Sequence, residues 1–402
     1  MRKRILFVDD EPMVLSGLER SLRTMRKEWD MHFVPGGQEA LDAMAEEPFD
    51  VVISDMRMPG IDGAQLLEMV KKQFSQTVRM VLSGQSDRDA VFRSTRPTHQ
   101  YFSKPCDVEN LKQKLSRALA LRDVLDNLKL RQLVSQVDIL PSLPSLCQSL
   151  RTLLESPNAS ISAIADIVAQ DPGITAKLLQ LVNSAFLGMA SHQSDPRSAV
   201  SVIGIDNLRA LMSLGLFTEL SPELVRKLEK SWIHSRNTAA FAQAIARAEA
   251  LSEEAVQGCF TAGLLHDIGQ QLLASLCSHE YAEVVSCAKA HGITLVASEY
   301  QTFGASHAQV GAYLLGLWGL PDSIVEAVAW HHKPSQARPT TFSPLIAVHV
   351  ADICDRQIHP CTPSLSDEAI DIELLAALGL EDRLTAWEKT CREIDSRIRQ
   401  HD

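Results

Sequence analysis

Four short apolar runs, each ending in a polar side chain, constrain the fold of this chain more than any other feature. In sequence order they end at Asp9-Asp10, Asp55, Ser83 and Lys104. Runs of this kind are typical of buried strands, and the helix-like segments between them indicate parallel βαβ units. In an open parallel sheet the carboxyl ends of the strands meet at one edge, where ligands bind. The pattern therefore predicts a doubly wound α/β sheet with one polar site.

The predicted strands lie near 4–8, 31–34, 50–54, 78–82 and 99–103. The polar residues that follow them fit the phosphorylation of an aspartate. Crowded carboxylates recruit a hard cation with oxygen ligands, typically Mg²⁺. Such a cation screens the acceptor carboxylate and the incoming phosphoryl oxygens, so that the reaction depends mostly on positioning and charge. A lysine can then pair with the phosphoryl group, and a hydroxyl can hydrogen-bond to it.

Over residues 1–120 this constellation resembles the receiver domain of two-component response regulators, which has a flavodoxin-like fold. The resemblance implies that Asp55 is the phospho-acceptor and that Asp9 and Asp10 bind Mg²⁺. It also implies that the backbone carbonyl of Arg57 completes the metal shell. By the same resemblance Ser83 and Tyr101 form the switch, and Lys104 pairs with the phosphoryl group.

Composition and charge exclude several classes of protein. The net charge is −11; residues 1–120 hold 18 basic and 18 acidic side chains, and the remainder holds 21 and 32. An acidic second half without a helix-turn-helix pattern argues against direct DNA binding, which needs a basic face. The sequence contains no run of 18 apolar residues, so it predicts no membrane-spanning helix. The eight cysteines are scattered without a CxxC pair, which is typical of a reduced, cytoplasmic protein.

Beyond the sheet the sequence reads as helical. Leucines spaced by three and four, through Leu128, give an apolar stripe to a predicted helix that opens near 106–107. Two interpretations stay open: an ordinary amphipathic helix packed on the sheet, or a connector that extends to about Val137 and pairs with a second copy to form a homodimer. The prolines at 141 and 144 mark a boundary. We expect a receiver domain at 1–120, a helical linker at 121–138, an all-α domain at 139–358 and a C-terminal helical extension at 359–402.

The all-α segment carries a second set of metal-capable side chains. His266 and Asp267 follow an apolar stretch, and single or paired histidines recur in later predicted helices. Imidazole nitrogen and carboxylate oxygen are good ligands for divalent metals, and a helical bundle can present them inward. One buried histidine is usually a satisfied core residue, whereas an ordered series indicates a site. The candidate ligands are His234, His266, Asp267, His307, His331, His332 and Asp352.

Their order resembles the HD superfamily of metal-dependent phosphohydrolases, and the surrounding sequence resembles its HDOD branch over about 139–355. The stretches that carry the resemblance include 139–144, 170–172, 181–185, 199–204, 263–269, 311–321 and 331–332. HDOD domains are regarded as degenerate relatives that act as regulatory or interaction modules. The resemblance implies a helical domain whose ligand set, if loaded, would hold Fe, Mn or Zn.

The chain departs from the hydrolytic HD-GYP branch at three places. His331-His332 runs into Lys333-Pro334 instead of a Gly-Tyr-Pro loop, and Gln270 stands where a lysine is usual. Lys230 occupies a position where a glutamate ligand can occur, and it is the one nearby cation that the sequence suggests. These departures favour binding over catalysis.

We therefore expect a response regulator that a sensor histidine kinase or a phosphotransfer protein phosphorylates on Asp55. Its HDOD domain would act through protein–protein interaction with a downstream signalling protein. The alternative is a metal-dependent phosphohydrolase of a cyclic dinucleotide or a related nucleotide. A polar pocket kept for folding or for binding a partner is the third interpretation of the histidine set.

Overall fold

The computed structural model describes residues 2–84, 97–121, 125, 127–183, 193–215, 218–219, 222–360 and 369–401. Contacts between residues divide the chain into two compact units. The first comprises Met1–Ile139, Gln180–His192 and Gly316–Gly319, and the second comprises Leu140–Leu179, Gln193–Leu315 and Leu320–Asp402. Each unit is built on its own core.

The first unit contains a parallel sheet, as the sequence predicted. Its described strands are β1 (Lys3–Val8), β2 (Trp29–Val34), β3 (Val51–Asp55), β4 (Val78–Ser83) and β5 (Gln100–Ser103), and their order is β2-β1-β3-β4-β5. This order belongs to the doubly wound class, in which the site lies beyond the carboxyl ends of the strands. In the register of the sheet, Val8 is opposite Ser54, and Ser83 is opposite Ser103. Asp9, Asp55, Ser83 and Lys104 therefore share one edge.

The helices of this unit are α1 (Pro12–Ser21), α2 (Gly37–Glu46), α3 (Gly63–Gln73), α4 (Val108–Leu121) and α5 (Leu128–Ser135). A capping box starts α3: the Asp62 carboxylate accepts from Gln65 N (2.8 Å), and the Gln65 amide oxygen accepts from Asp62 N (3.1 Å). Close packing fixes the same helix, because a Cβ on Gly63 would lie 2.1 Å from the Asp55 carbonyl oxygen. These two devices hold the chain that follows Asp55.

The connector interpretation, in which one helix extends to about Val137, does not match the described residues, because a new helix starts after Asn127. Asn127 has extended backbone, and its side chain accepts from Leu130 N (3.1 Å), so that α5 starts as a new helix. An asparagine side chain that bonds its own backbone favours a helix start over a helix interior. Residues 122–124 and 126 lie outside the described residues, and pairing with a second copy stays a prediction.

The second unit is almost entirely helical, as predicted. Its described helices are α6 (Pro144–Glu155), α7 (Ile161–Val168), α8 (Pro172–Asn183), which continues into the first unit, α9 (Pro196–Ile203), α10 (Ile205–Ser213), α11 (Pro222–Ala248), α12 (Glu253–Leu265), α13 (Ile268–Leu276), α14 (Ser278–His291), α15 (Leu295–Phe303), α16 (His307–Leu317), α17 (Asp322–Trp330), α18 (Pro344–Ile358), α19 (Ile372–Ala377) and α20 (Leu384–His401).

Local breaks separate neighbouring helices at two points. Gly204, with φ at 76°, separates α9 from α10, and His266-Asp267 separates α12 from α13. A two-residue strand, Pro141–Ser142, also pairs with Thr218–Glu219, where the sequence indicated helix only. The break at His266-Asp267 matters for the site, because it turns two side chains inward at a junction between helices.

None of the described helices combines the length and the apolar character that crossing a membrane requires. The seven described cysteines are free thiols, and Cys361 lies outside the described residues.

Candidate functional site

The polar edge of the sheet is organised around Lys104. Its ammonium Nζ donates to Asp9 Oδ2 (2.8 Å) and also pairs with Asp55 Oδ1. The other oxygen of Asp55, Oδ2, accepts from the backbone N–H of Arg57 (2.7 Å). Burial raises the pKa of the Asp55 carboxyl, and Lys104 opposes that effect. Burial lowers the pKa of Lys104, but the pairs with Asp55 and Asp9 outweigh it and raise that pKa overall, so that the cation persists at neutral pH.

The remaining predicted receiver residues surround this ion pair. Asp10 is exposed at the same edge, whereas Ser83 and Tyr101 are buried. Tyr101 belongs to the apolar core of the sheet together with Leu6, Val52 and Val81. A buried tyrosine whose ring fills the core can move only if that core repacks, which is the kind of side chain that a switch needs.

The donors at this edge fit a hard cation. Asp9 and Asp55 present buried carboxylate oxygens from adjacent strands, and Asp10 adds an exposed carboxylate. Oxygen ligands of this type suit Mg²⁺, which keeps several waters and takes few ligands from the protein. Mg²⁺ would compete with Lys104 for the carboxylates of Asp9 and Asp55.

The second site gathers all seven ligand candidates of the helical domain. Among the described residues, two groups place their ligand atoms within 4.8 Å of one another: Asp267 with His307, His331 and His332, and His234 with His266 and Asp352. Asp267 lies between the groups: Oδ1 is 3.1 Å from His307 Nε2, and Oδ2 is 3.5 Å from His266 Nε2. The arrangement offers two adjacent ligand sets that share one carboxylate.

Hydrogen bonds at Nδ1 orient four of these imidazoles. Oxygen acceptors hold each Nδ1: the Gly263 carbonyl for His266 (2.7 Å), the Val328 carbonyl for His331 (2.9 Å), Glu299 for His307 (2.8 Å) and Asp355 for His234 (2.6 Å). Carbonyl and carboxylate oxygens only accept, so each Nδ1 carries the proton. Every Nε2 is then left facing the centre as a potential ligand, which is the outer-shell pattern of metal-binding histidines.

Distances between the inward nitrogens fit a shared cation. His307 Nε2 and His332 Nε2 are 2.8 Å apart, and His234 Nε2 and His266 Nε2 are 3.2 Å apart. Ligand atoms about 2.1 Å from one ion lie roughly 3 Å from each other. The buried Nε2 of His331 has no hydrogen-bond partner among the described residues. Imidazole and carboxylate ligands suit Zn, Fe or Mn, so the residues present fit the metals that the sequence suggested.

Without a bound metal ion, protons must occupy the lone pairs of the Nε2 atoms that face the centre of the site. Burial lowers the pKa of His234, but its bonds to Asp352 and Asp355 outweigh burial and raise the pKa to about 10. Glu299 and Asp267 likewise outweigh burial at His307 and raise its pKa to about 10. Burial instead holds the pKa of His331 and His332 well below the usual value. The site therefore alternates imidazolium and neutral imidazole around its carboxylates.

Two glycines of the 263–269 stretch let the helices approach closely enough to form this site. A Cβ on Gly263 would lie 2.8 Å from Ala239 Cα of α11, the helix that carries His234. A Cβ on Gly269 would lie 1.9 Å from the carbonyl oxygen of His307. Only a residue without a side chain fits at either position. The glycines thus bring His266 and Asp267 next to their partners.

Several residues of the site escaped the sequence analysis. Glu299, Asp355 and His349 are buried; Glu299 and Asp355 hold ligand histidines, and His349 Nδ1 donates to the His331 carbonyl (2.7 Å). Glu299 and His349 are isolated polar residues within helical patterns, so the sequence contained no signal that could reveal them. The spacing of Asp355, three residues after Asp352 on α18, is the one available hint.

The nearest cation also differs from the one that the sequence suggested. Lys230 is exposed. Arg356 of α18 instead donates from Nε to Asp352 Oδ1 (2.7 Å), the oxygen that also contacts His234 Nε2 (2.9 Å). This guanidinium neutralises part of the negative charge that a metal would otherwise use.

Comparisons with known proteins agree with both domains. The response regulator receiver domain family matches residues 5–116, and the HDOD domain family matches residues 140–334. The chain therefore contains a receiver domain followed by an HDOD domain. The HDOD match ends before Asp352, Asp355 and the C-terminal helices.

Each of the curated relatives below is similar to one part of the chain. An uncharacterised protein of Treponema pallidum is 28% identical over 217 residues, which are 54% of this chain and 42% of that protein. The response regulator PilR of Pseudomonas aeruginosa is 29% identical over 123 residues, 30% of this chain and 27% of PilR. The chain thus spans less than half the length of these curated relatives.

Two solved structures are similar to parts of the chain. The MmoQ response regulator of Methylococcus capsulatus is 22% identical, with a TM-score of 0.47, over 62% of this chain and 97% of that one. An HDOD domain protein of unknown function from Geobacter sulfurreducens is 23% identical, with a TM-score of 0.37, over 72% of this chain and 96% of that one.

Proposed function

We propose that phosphorylation of Asp55 by a sensor histidine kinase or a phosphotransfer protein switches this response regulator. The proposal rests on the contacts of Lys104 Nζ with the buried carboxylates of both Asp9 and Asp55. A carboxylate oxygen of Asp55 attacks phosphorus, the bond from phosphorus to the donor nitrogen breaks, and an acyl phosphate forms. Mg²⁺ supplies charge compensation for the phosphoryl oxygens when it is bound. Lys104 then exchanges a carboxylate for a phosphoryl oxygen, and Arg57 N–H orients the acceptor.

The switch proposed from the sequence uses Ser83 and Tyr101. Ser83 ends β4 at the polar edge, and Tyr101 lies on the neighbouring strand β5, opposite Val81. A hydroxyl drawn toward the phosphoryl group leaves space for the buried ring to change rotamer. Phosphorylation then biases an existing equilibrium between two packings of the sheet core.

Labelling by a small phosphodonor in the presence of Mg²⁺ tests the acceptor. We expect Asp55→Asn to abolish labelling, because the amide cannot act as the nucleophile. Asp42→Asn, at an exposed carboxylate of α2, is the matched control and should label like the unmodified protein. Undiminished labelling of Asp55→Asn would place the acceptor elsewhere.

For the output, we propose that the HDOD domain holds a divalent metal and acts by binding a downstream signalling protein. The converging Nε2 atoms support metal binding. The Arg356–Asp352 pair and the substitution at Gln270 support binding over catalysis, because a hydrolase also needs an open coordination position and groups that hold the phosphate.

One observation favours an alternative function, a metal-dependent phosphohydrolase. Asp267 lies between two ligand sets, and paired metals can activate a water and stabilise the leaving oxygen of a phosphodiester. A cyclic dinucleotide or a related nucleotide is the substrate class that this chemistry would take.

Elemental analysis and a turnover assay separate these functions. We expect bound metal in the purified protein, loss of metal in the His266→Ala/Asp267→Ala double variant, and no hydrolysis of cyclic-di-GMP with Mn²⁺, Fe²⁺ or Mg²⁺. Metal-dependent formation of the linear dinucleotide or GMP, lost in the double variant, would establish the enzyme instead. A metal-free protein under all loading conditions would leave the histidines as a folding network.

A further inference from the structure

The C-terminal helix α20 packs on two of the helices that carry one ligand group of the metal site. It contacts α11, which holds His234, and α18, which holds Asp352, so it reaches the helices of two of the three members of that group; His266 lies at the end of α12. Trp387 anchors it: its indole is buried, and Nε1 donates to Glu249 Oε1 of the loop after α11 (3.0 Å). Cys391 of α20 is buried against Cys354 of α18. This helix lies beyond the HDOD match, so the family relationship assigns it no role.

A chain of polar contacts runs from this helix to the metal site. Asp395 Oδ1 is 3.0 Å from His359 Nε2, and His359 Nδ1 is 2.8 Å from Asp355 Oδ1. The other oxygen of Asp355 accepts from His234 Nδ1 (2.6 Å). Arg399, one turn after Asp395, also reaches His359 Nε2 (2.9 Å) and pairs with Asp395 (2.9 Å).

Each link of this chain restricts the next. Asp355 accepts from three donors, namely His234 Nδ1, His359 Nδ1 and Asn237 Nδ2, which fixes the plane of its carboxylate. His359 is the C-cap residue of α18 and follows its last helical residue, Ile358. In either protonation state α20 holds the ring: a neutral Nε2 accepts from Arg399, and a protonated Nε2 donates to Asp395.

We propose that Asp355, His359 and the Asp395–Arg399 pair are positioning residues that set the metal affinity of the His234–His266–Asp352 group. They act through His234, whose Nε2 faces the site only while Nδ1 is held. The C-terminal helix is thereby part of the metal site, and a partner that displaces it weakens metal binding. This inference rests on the metal binding proposed above.

The test measures affinity and spectrum in the full-length protein. Zn²⁺ affinity is measured by competition with a chelator, and Co²⁺ absorption in the visible range reports ligand geometry. The variants are Asp355→Asn, His359→Ala, His359→Asn and the double variant Asp395→Asn/Arg399→Gln. Glu393→Gln is the matched control, because this carboxylate lies on the same helix but is exposed.

We expect Asp355→Asn to weaken Zn²⁺ binding by about 10–100-fold, as changes next to ligand histidines do. His359→Ala and the double variant, one link further away, should weaken it by about 3–10-fold and shift the Co²⁺ bands. His359→Asn keeps a donor near the position of Nδ1 and should recover much of the affinity. Glu393→Gln should match the unmodified protein.

Two outcomes overturn the inference, and they differ. If the unmodified protein binds Zn²⁺ and all the His359 and Asp395/Arg399 variants match it in affinity and Co²⁺ spectrum, the positioning role is wrong while metal binding stands. A lower unfolding temperature with unchanged affinity counts as this outcome, because it shows a structural role only. If the unmodified protein itself binds neither Zn²⁺ nor Co²⁺, the proposed metal binding and the positioning role both fail.

Discussion

At the scale of single residues, metal binding in the helical domain depends on which nitrogen of each histidine carries a proton. His234 and His307 bind protons tightly because carboxylates hold both of their nitrogens, whereas His331 is buried with its Nε2 unpaired among the described residues. A metal takes the same Nε2 atoms that bind protons, so metals and protons compete for the site.

We therefore predict that metal affinity rises with pH. The pKa of His234 and that of His307 are each raised to about 10, so both rings are protonated at neutral pH and a metal must displace those protons. Each displaced proton changes the affinity by about tenfold per pH unit. Chelator competition at pH 6, 7 and 8, corrected for the titration of the chelator, measures the slope; a flat profile would contradict the prediction.

The same shifts set the stability of the metal-free protein. Because both pKa values are raised from 6.5, the two histidines stabilise the fold fully below pH 6.5, and this contribution disappears as the pH rises through about 10. Metal loading should protect the protein most at alkaline pH, which thermal unfolding with and without Zn²⁺ measures.

In the receiver, Lys104 decides whether two buried carboxylates are compensated. We predict that Lys104→Ala lowers the free energy of unfolding by about 1–3 kcal/mol at pH 7, because Asp9 and Asp55 lose their cation. Mg²⁺ should restore part of the loss by binding the same oxygens. Denaturant unfolding with and without Mg²⁺ measures both effects. Lys72→Ala, at an exposed lysine of α3, is the control and should change little.

At the scale of elements, the metal site depends on how closely helices approach. Gly269 is the tightest contact, since its α-carbon faces the backbone of His307 at the start of α16. We predict that Gly269→Ala destabilises the domain by about 3 kcal/mol and lowers metal occupancy, because α13 and α16 must separate. Thermal unfolding and elemental analysis measure the two effects.

Gly258 provides the matched control on α12. Among the residues that the structure describes, a Cβ there would meet only Ser194, at 3.9 Å, so Gly258→Ala should leave metal occupancy unchanged. It should also raise stability by up to about 1 kcal/mol, because alanine favours helix. If the two substitutions had equal effects, close packing at Gly269 would not be what forms the site.

At the scale of the whole molecule, a signal from Asp55 must leave the receiver through the elements next to its switch. His99, just before β5, bonds with its Nε2 to the Ser135 carbonyl of α5 (3.0 Å), and the buried Arg79 donates to the same oxygen (2.6 Å). Tyr101 follows two residues later on the same chain segment. The helix α5 is thus bonded to the part of the sheet that carries the proposed switch residue Tyr101.

We predict that a phosphoryl mimic changes backbone hydrogen exchange in β5 and in the linker at 106–138. The predicted switch surface at 86–105 includes residues 86–96, which lie outside the described residues. Exchange measured by mass spectrometry with and without the mimic tests the route, and Asp55→Asn treated in the same way is the control. Unchanged exchange in both regions would refute it.

The sequence alone determined the class of each domain and the residues at each site. The order of strand ends placed Asp9, Asp55, Ser83 and Lys104 at one sheet edge, because the carboxyl ends of parallel strands must coincide. The spacing of His234, His266-Asp267, His307, His331-His332 and Asp352 likewise named the side chains that the structure brings together. Both follow from patterns repeated along the chain.

Tertiary structure decided what surrounds those residues. The break of the linker helix at Asn127, the helix junction at His266-Asp267 and the cation at Arg356 each depend on contacts between distant or individually unremarkable positions. Glu299 and Asp355 hold ligand histidines 8 and 121 residues away in the sequence. Local periodicity records which face of an element is buried but not which neighbour it meets. The outer shell of the metal site, and the link from it to the C-terminal helix, therefore existed only once the helices had packed.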